Sequence, residues 1–279
     1  ATLGQQDAYE TAAISPDGSR VAVYRLSSGG GIAILETSTG IATPLASGFW
    51  GAWSPDGQRV AFGSSPSGAP NNYTISVRGD GKPVRLTESP NSQRVLDWSP
   101  DGGFIVYAEQ PNDVASATKS GIWVLPLADR QPFLYVQTAH RQAHAQFSPD
   151  GHWIAYTSTE SGRGEIHVQS FPAGRGKWRV SLNGGDFPRW RRDGSELLYV
   201  APDQTLMSTS VQRVGDLVQF GEPKSLFKLS FPAAHPGSNQ DNPYDVGSDG
   251  RILGFTTVRD SGAEGLIVLS NWDAELTTP

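Results

Sequence analysis

The sequence contains no cysteine among its 279 residues. It therefore has no disulfide, no thiolate metal site and no cysteine nucleophile. Positive charge is also scarce: 22 lysines and arginines are outnumbered by 28 aspartates and glutamates, and no run of basic residues occurs. Because a nucleic-acid backbone or an anionic membrane is bound through a concentrated basic surface, neither is an expected partner.

Long hydrophobic runs are absent as well. No stretch approaches the roughly 20 apolar residues of a membrane-spanning helix, so we expect no membrane insertion by this chain. The sequence starts at Ala1 without an initiator methionine or a charged-then-apolar leader. This start predicts that residues 1–279 are a fragment of a larger protein.

Turn-forming residues are abundant, with 32 glycines and 20 prolines. Four copies of Ser-Pro-Asp-Gly and two altered copies recur with their aspartates 39 to 56 residues apart. In each copy proline presets φ, aspartate bonds to nearby backbone, and glycine adopts the positive φ of a tight turn. A turn at this interval is typical of a four-stranded sheet repeated around an axis. The copies begin at Ser15, Ser54, Ser99, Ser148, Arg191 and Gly247.

A bulky apolar residue stands directly before each turn, and an alternating strand such as Trp153-Ile154-Ala155-Tyr156-Thr157 follows it. Rings at this position are expected to pack neighbouring sheets together. We therefore predict an all-β fold, a six-bladed β-propeller of four-stranded antiparallel blades, in which residues 1–279 form a single domain. The bulky residues are Ile14, Trp53, Trp98, Phe147, Trp190 and Val246.

The last repeat is one strand short. Its strand patterns lie near 242–247, 251–257 and 265–271, and no outer strand follows them. Because an open ring would expose two unpaired sheet edges, the N-terminal residues around Thr2-Leu3-Gly4 are predicted to close the last blade.

The repeated Trp-Ser-Pro-Asp-Gly, followed by Val-Ala-Phe or Ile-Ala-Tyr, resembles the WD-repeat-like blades of the TolB family over nearly the whole chain. Segments such as 97–102, 121–127, 145–151, 187–194 and 268–276 are similar to propellers that follow a bacterial serine/threonine kinase domain or a winged-helix regulator. The resemblance implies a sensor or interaction module of a bacterial signalling or envelope protein. It implies an extracytoplasmic (periplasmic) domain of a membrane-anchored protein, with a cytoplasmic location as the alternative. The α/β domain of TolB and every kinase motif are missing, so the resemblance transfers no site residue.

In a propeller the default binding site is the channel mouth formed by the connections from the last strand of one blade to the first of the next. Those connections carry aromatic rings and charges of both signs, as a polar pocket or an interface would. Arg94 and His144 are expected to orient a partner and to confer sensitivity to pH near neutrality. We predict that a protein or small-molecule ligand binds a monomer there, through Trp50, Arg94, His144, Phe187, Arg189 and Tyr244.

Three other clusters of polar residues suggest weaker hypotheses. His140, His144 and Asp186 are candidate transition-metal ligands, although two histidines without a committed third ligand are a weak pattern. Hard oxygen ligands at 241, 242 and 245 would suit calcium, although their spacing is not that of a calcium loop. Arg189, Arg191 and Arg192 are close together in the sequence and could attract a carboxylate or phosphate, although they are not expected to converge.

Two functions follow from these patterns. The first is a non-catalytic sensor or binding domain, with no catalytic residue, no bound metal and no cofactor. The second is a metal-dependent hydrolase or lyase that uses carboxylates at the channel mouth, such as Glu10, Asp186 and Asp241. No Gly-x-Ser-x-Gly elbow is present, and the serines of the repeat are explained by turns.

Overall fold

A computed structural model gives the fold. It describes residues 2–3, 9–25, 30–66, 68–112, 120–174, 176–215, 217–229, 243–257 and 264–269. These residues form 25 β-strands and no helix, so no helix among them is long and apolar enough to cross a membrane. The all-β prediction is confirmed for this part of the chain.

The strands follow the six turn repeats, four or five to a sheet. Strand β1 is Thr2–Leu3. The first sheet contains β2 (Tyr9–Ile14), β3 (Arg20–Arg25), β4 (Gly31–Glu36) and β5 (Ala42–Ala46). The second contains β6 (Phe49–Trp53), β7 (Arg59–Ser64), β8 (Asn71–Ser76) and β9 (Val84–Arg85). The third contains β10 (Ser92–Trp98), β11 (Phe104–Gln110), β12 (Gly121–Pro126) and β13 (Phe133–Val136).

The later sheets keep this order with one elaboration. The fourth contains β14 (Gln142–Phe147), β15 (Trp153–Ser158), β16 (Glu165–Ser170) and β17 (Lys177–Arg179). The fifth contains β18 (Asp186–Trp190), β19 (Glu196–Val200), β20 (Thr205–Val214), β21 (Leu217–Phe220) and β22 (Lys224–Lys228). The sixth contains β23 (Tyr244–Val246), β24 (Ile252–Thr257) and β25 (Glu264–Leu269).

The N-terminal strand completes the sixth sheet. Thr2 pairs with Ile267 and Leu3 with Leu266, which gives the strand order β1-β25-β24-β23. This antiparallel pairing confirms the predicted closure. The long strand β20 explains the extra length of the fifth sheet, because its first half pairs with β22 and its second half with β21.

Local side-chain chemistry explains why the turn repeats. In each intact copy the serine hydroxyl donates to the aspartate two residues on, at 2.5–2.6 Å. The same carboxylate accepts the backbone N–H two residues further along, as in Asp101 with Gly103 at 2.9 Å. Gly102 has a φ of +75°, which a β-branched side chain would strain. The turn is therefore specified by residues within six positions of one another.

The hydrophobic core lies between successive sheets. Phe147 and Trp190 are about 4% exposed and pack among strands of neighbouring sheets, as the bulky position before each turn predicts. The first strands of the sheets, which we call inner strands, contact one another in a closed cycle. In chain order these inner strands are β2, β6, β10, β14, β18 and β23.

Candidate functional site

The inner strands surround an axial cavity of about 160 Å³. At one end, the turn end, it is bordered by Pro16, Pro55, Pro100 and Pro149 of the repeated turns. The opposite end, where the inner strands begin, is the loop end, and it corresponds to the channel mouth of the sequence prediction. The cavity wall is formed by the residue before each bulky position: Ala13, Ala52, Asp97, Gln146, Arg189 and Asp245.

Polar members of this ring connect neighbouring sheets. The carboxylate of Asp97 accepts the backbone N–H of Phe147 at 2.9 Å, and the amide oxygen of Gln146 accepts that of Trp190 at 2.7 Å. Asp245 likewise accepts the N–H of Ile14 at 2.7 Å and so joins the sixth sheet to the first. These bonds occupy backbone donors that point away from their own sheet, which would otherwise be buried without partners.

The charges in the ring are only partly balanced. The guanidinium of Arg189 lies 3.7 Å from Asp245 and donates to the carbonyl of Pro188. Asp97 has no ion pair with the described residues. Burial raises the pKa of Asp97 to about 6, although bonds from backbone N–H groups and the positive charges of Arg189 and Arg192 oppose the rise.

At the loop end, a histidine and an aspartate from adjacent sheets form a pair. Nδ1 of His144 lies 2.6 Å from the carboxylate of Asp186, which also accepts the hydroxyl of Thr157 at 2.7 Å. Arg141 approaches the same carboxylate at 4.0 Å. His144 is only 3% exposed, and its Nε2 has no hydrogen-bond partner among the described residues. This arrangement places the proton on Nδ1 and leaves a buried lone pair on Nε2.

The backbone is strained at this pair. His144 and Phe187 have φ of +54° and +57°, and their rings lie 4.3 Å apart at an angle of 34°. Both residues occupy bulges of their inner strands, where the register shifts by an extra residue. The carbonyl of Phe187 accepts the hydroxyl of Tyr244 at 2.9 Å. Contacts from three sheets therefore hold a conformation that non-glycine residues seldom adopt.

The protonation states of the pair follow from burial and hydrogen bonding. Burial lowers the pKa of His144 to about 4, although the neighbouring Asp186 raises it. Burial alone would raise the pKa of Asp186, but the contacts from His144, Thr157 and Arg141 lower it to about 2. At neutral pH the pair is therefore a neutral imidazole that donates to a carboxylate. The predicted sensitivity of His144 to pH near neutrality is wrong for this buried environment.

The predicted binding residues divide between the two ends. His144, Phe187 and Tyr244 meet at the loop end, whereas Arg189 is 6% exposed and faces the cavity of the turn end. Tyr244 was expected to present its ring to a ligand, but it is 1% exposed because it packs in the core between the fifth and sixth sheets.

The other two predicted residues remain candidates for the loop end. Arg94 lies in β10 close enough to His144 to influence its protonation. Trp50 belongs to β6, but its side chain lies outside the part of the chain that the structure describes.

The structure also bears on the metal, calcium and anion hypotheses drawn from the sequence. In the described part of the chain, no group of three or more His, Asp or Glu could hold a metal ion, so His140 does not complete a site with His144 and Asp186. Residues 241 and 242 lie outside the described ranges. Arg189 and Arg192 were not expected to converge, yet both line the axial cavity.

Sequence reasoning missed Asp97 and Gln146 as cavity residues. The sequence signal that could have found them is their position directly before a bulky residue. Arg189 occupies the same position in its repeat and is predicted there to lie on the inner strand. Asp97 and Gln146 were overlooked because their partners, Phe147 and Trp190, lie 50 and 44 residues away.

Comparisons with known proteins support the fold. No family model matches the chain. An uncharacterized protein of Agrobacterium fabrum is 23% identical over 207 residues, which are 67% of this chain and 68% of the relative. A structure described as TolB from Agrobacterium tumefaciens superimposes with a TM-score of 0.65 and 20% identity, covering 94% of this chain and 90% of that one.

Two further solved structures superimpose on the fold of this chain. TolB from Acinetobacter baumannii gives a TM-score of 0.64 at 15% identity, over 95% of this chain and 64% of the TolB chain. An oligogalacturonate lyase in complex with manganese gives 0.58 at 14% identity, over 95% and 90% of the two chains. The chain therefore has a TolB-like β-propeller fold. Because that fold is found in a lyase as well as in TolB, it does not define an activity.

Proposed function

We propose that this chain is a non-catalytic binding domain, a six-bladed propeller that engages a protein or small-molecule ligand at the loop end of its channel. The blades correspond to the six described sheets, with β1 completing the last of them. The residues proposed to contact the partner are Phe187 and Arg94, together with Trp50, around the buried His144.

The strained pair His144 and Phe187 is the observation that carries this proposal. Among the described residues, only four that are not glycine have a positive φ, and the rings of two of them lie 4.3 Å apart here. Such strain costs about 1–3 kcal/mol per residue and persists mainly where it serves a site. The ring of Phe187 is partly exposed and lies 4.3 Å from the buried imidazole, so it offers apolar contact area to a partner at this end.

Affinity capture from a bacterial envelope extract, followed by calorimetric titration of the recovered partner, tests the proposal. Phe187→Ala and Arg94→Ala are expected to weaken binding by at least about tenfold, as truncation of a central contact does. Gln58→Ala, an exposed change in a turn at the other end, is the matched control and should leave binding within about twofold. Equal binding by all three variants would place the partner elsewhere.

A second candidate function is a hydrolase or lyase, and the His144–Asp186 pair favours it. A neutral imidazole oriented by a carboxylate keeps a lone pair on Nε2, which acts as a general base when a substrate reaches it. The contact between His144 and Asp186 supports acid–base chemistry, and the described residues include no group of three or more His, Asp or Glu that could hold a metal ion. Turnover of oligogalacturonate, peptide or ester substrates, with and without manganese, would support this function if His144→Gln abolished it.

We also propose that the chain belongs to a larger bacterial signalling or envelope protein, and that it is an extracytoplasmic monomer. The TolB-like fold and the blade motifs similar to propellers of kinases and winged-helix regulators support this proposal. The coding sequence upstream of Ala1 tests it, because a kinase or winged-helix domain followed by a membrane segment is expected there. Sedimentation of the purified chain tests the monomer.

A further inference from the structure

The axial cavity at the turn end has two unlike walls. The first and second sheets contribute Ala13 and Ala52, with Pro16 and Pro55 at the rim, and this wall is apolar. The third to sixth sheets contribute side chains of both charges. A cavity of about 160 Å³ resembles the engineered protein cavity of about 150 Å³ that binds benzene, so a molecule of similar size fits.

The apolar wall also contains a backbone donor without a side-chain acceptor. The N–H groups of Ile14, Phe147 and Trp190 each donate to a side chain of the preceding sheet. Trp53 occupies the equivalent position, but the residue that would accept from it is Ala13. The side-chain acceptor that serves the equivalent N–H groups is therefore missing here among the described residues. The indole of Trp53 donates separately to the carbonyl of Ala13 at 2.8 Å.

A positive charge reaches the same wall from across the cavity. Arg192 belongs to the turn of the fifth sheet, yet its guanidinium lies 3.4 Å from the carbonyl oxygen of Ile14 in the first sheet. It is exposed at the rim of the cavity. Arg192 and the N–H of Trp53 thus offer donors to an anionic group on the apolar side.

The complementary negative charge is Asp97 of the third sheet. Asp245 is neutralised by the nearby Arg189, whereas Asp97 has no ion pair with the described residues. Its side chain is partly exposed to the cavity, and burial raises its pKa to about 6. The ammonium group of a ligand would supply the positive partner that the ionised carboxylate of Asp97 lacks.

We propose that this cavity binds a small zwitterion with an apolar body, namely a free aliphatic α-amino acid. Its carboxylate contacts Arg192 and the N–H of Trp53, its ammonium contacts Asp97, and its side chain packs against Ala13 and Ala52. A group with a single charge would leave either Asp97 or Arg192 without a partner. The site lies at the opposite end of the inner strands from His144 and does not depend on the function proposed for the loop end.

Calorimetric titration of the full chain with L-leucine tests the proposal, and a ligand-induced rise in melting temperature provides a second readout. Isopentylamine keeps the apolar body and ammonium without the carboxylate, and 4-methylpentanoate keeps the carboxylate without the ammonium. We expect leucine to bind with a stoichiometry of one and each analogue to bind at least about tenfold more weakly. Equal or tighter binding of either analogue would overturn the zwitterion assignment.

Three variants locate the site. Asp97→Asn and Arg192→Gln each remove one charge and should weaken leucine binding by at least about tenfold, and Ala13→Leu should abolish it by filling the cavity. Asp80→Asn and Arg78→Gln make the same charge changes on an exposed turn of the second sheet and should bind like the unmodified chain.

Two comparisons keep the test decisive. If Asp97→Asn or Ala13→Leu fails to fold, Arg192→Gln still tests the site, because Arg192 is exposed at the rim. His144→Gln should leave leucine binding unchanged, which separates this site from the loop end. Failure of the unmodified chain to bind leucine at millimolar concentration, or unchanged binding by folded Asp97→Asn and Arg192→Gln, would refute the proposal.

Discussion

Replacing Asp97 by Asn should change how the stability of the chain depends on pH. The folded protein raises the pKa of this carboxyl group from 3.8 to about 6, chiefly through burial. Between those two pH values the folded chain binds more protons at this site than the unfolded chain does. The contribution of Asp97 to stability is therefore fully present below pH 3.8 and is lost as the pH rises through about 6.

The size of the effect follows from the shift. Each pKa unit corresponds to about 1.4 kcal/mol, so ionised Asp97 costs at most about 3 kcal/mol of unfolding free energy above pH 6.5. Water that enters the cavity screens part of this cost, and we expect about 1–2 kcal/mol. Asparagine has no charge but keeps a carbonyl oxygen that can accept the N–H of Phe147. Asp97→Asn should thus exceed the unmodified chain in stability at pH 7.5 and lose that advantage near pH 4.

Urea unfolding at pH 4, 5, 6 and 7.5 measures this difference, with tryptophan fluorescence as the signal. Asp80→Asn, an exposed change of the same charge, controls for the effect of net charge on the whole chain. If the difference between Asp97→Asn and the unmodified chain stays constant from pH 4 to 7.5, Asp97 does not lie in a desolvated cavity. A lower stability of the variant at pH 7.5 would mean that the charge-assisted bond to Phe147 outweighs desolvation.

Further predictions address the turn, closure, core and loop end. Gly102→Val should lower the unfolding free energy by at least about 1–2 kcal/mol in urea titration, because its φ of +75° disfavours a β-branched residue. Deleting residues 1–4 removes the strand paired with β25 and should lower the melting temperature seen by circular dichroism, whereas an unchanged midpoint would contradict closure. Trp190→Ala should cost about 3–5 kcal/mol of unfolding free energy, and a much smaller loss would refute its burial. In NMR titration the imidazole of His144 should stay neutral down to about pH 5, and protonation near pH 6.5 would contradict its buried environment.

The fold was predictable because its signals are local. Each intact turn is fixed by a serine, an aspartate and a glycine within a few residues, so the repeat indicates hairpins without knowledge of the rest of the chain. The last repeat has one strand pattern fewer than the others. Because an open sheet edge needs a partner, that shortage predicted the pairing of the N-terminal residues with the last sheet.

The candidate sites were less predictable because they depend on register. Five of the inner strands shift register at a bulge, and a shift of one residue exchanges the two faces of a strand. Tyr244 was expected at the channel mouth for its position in the sequence, yet its ring packs in the core and only its hydroxyl contributes to the loop end. Arg192 stands in an altered copy of the turn, yet its guanidinium reaches the carbonyl oxygen of Ile14 in the first sheet.

Residues that differ from one repeat to the next give the axial cavity the features from which a function can be argued. Where Ser-Pro-Asp-Gly is intact, the serine hydroxyl and the aspartate carboxylate bond each other within the turn. The fifth turn replaces serine and proline by Arg191 and Arg192, and the second of these arginines gives the cavity its exposed positive charge. The ring of residues before the bulky positions varies in the same way, from Ala13 to Asp97. Regular repeats thus build the sheets, and departures from the repeat give the axial cavity its two unlike walls.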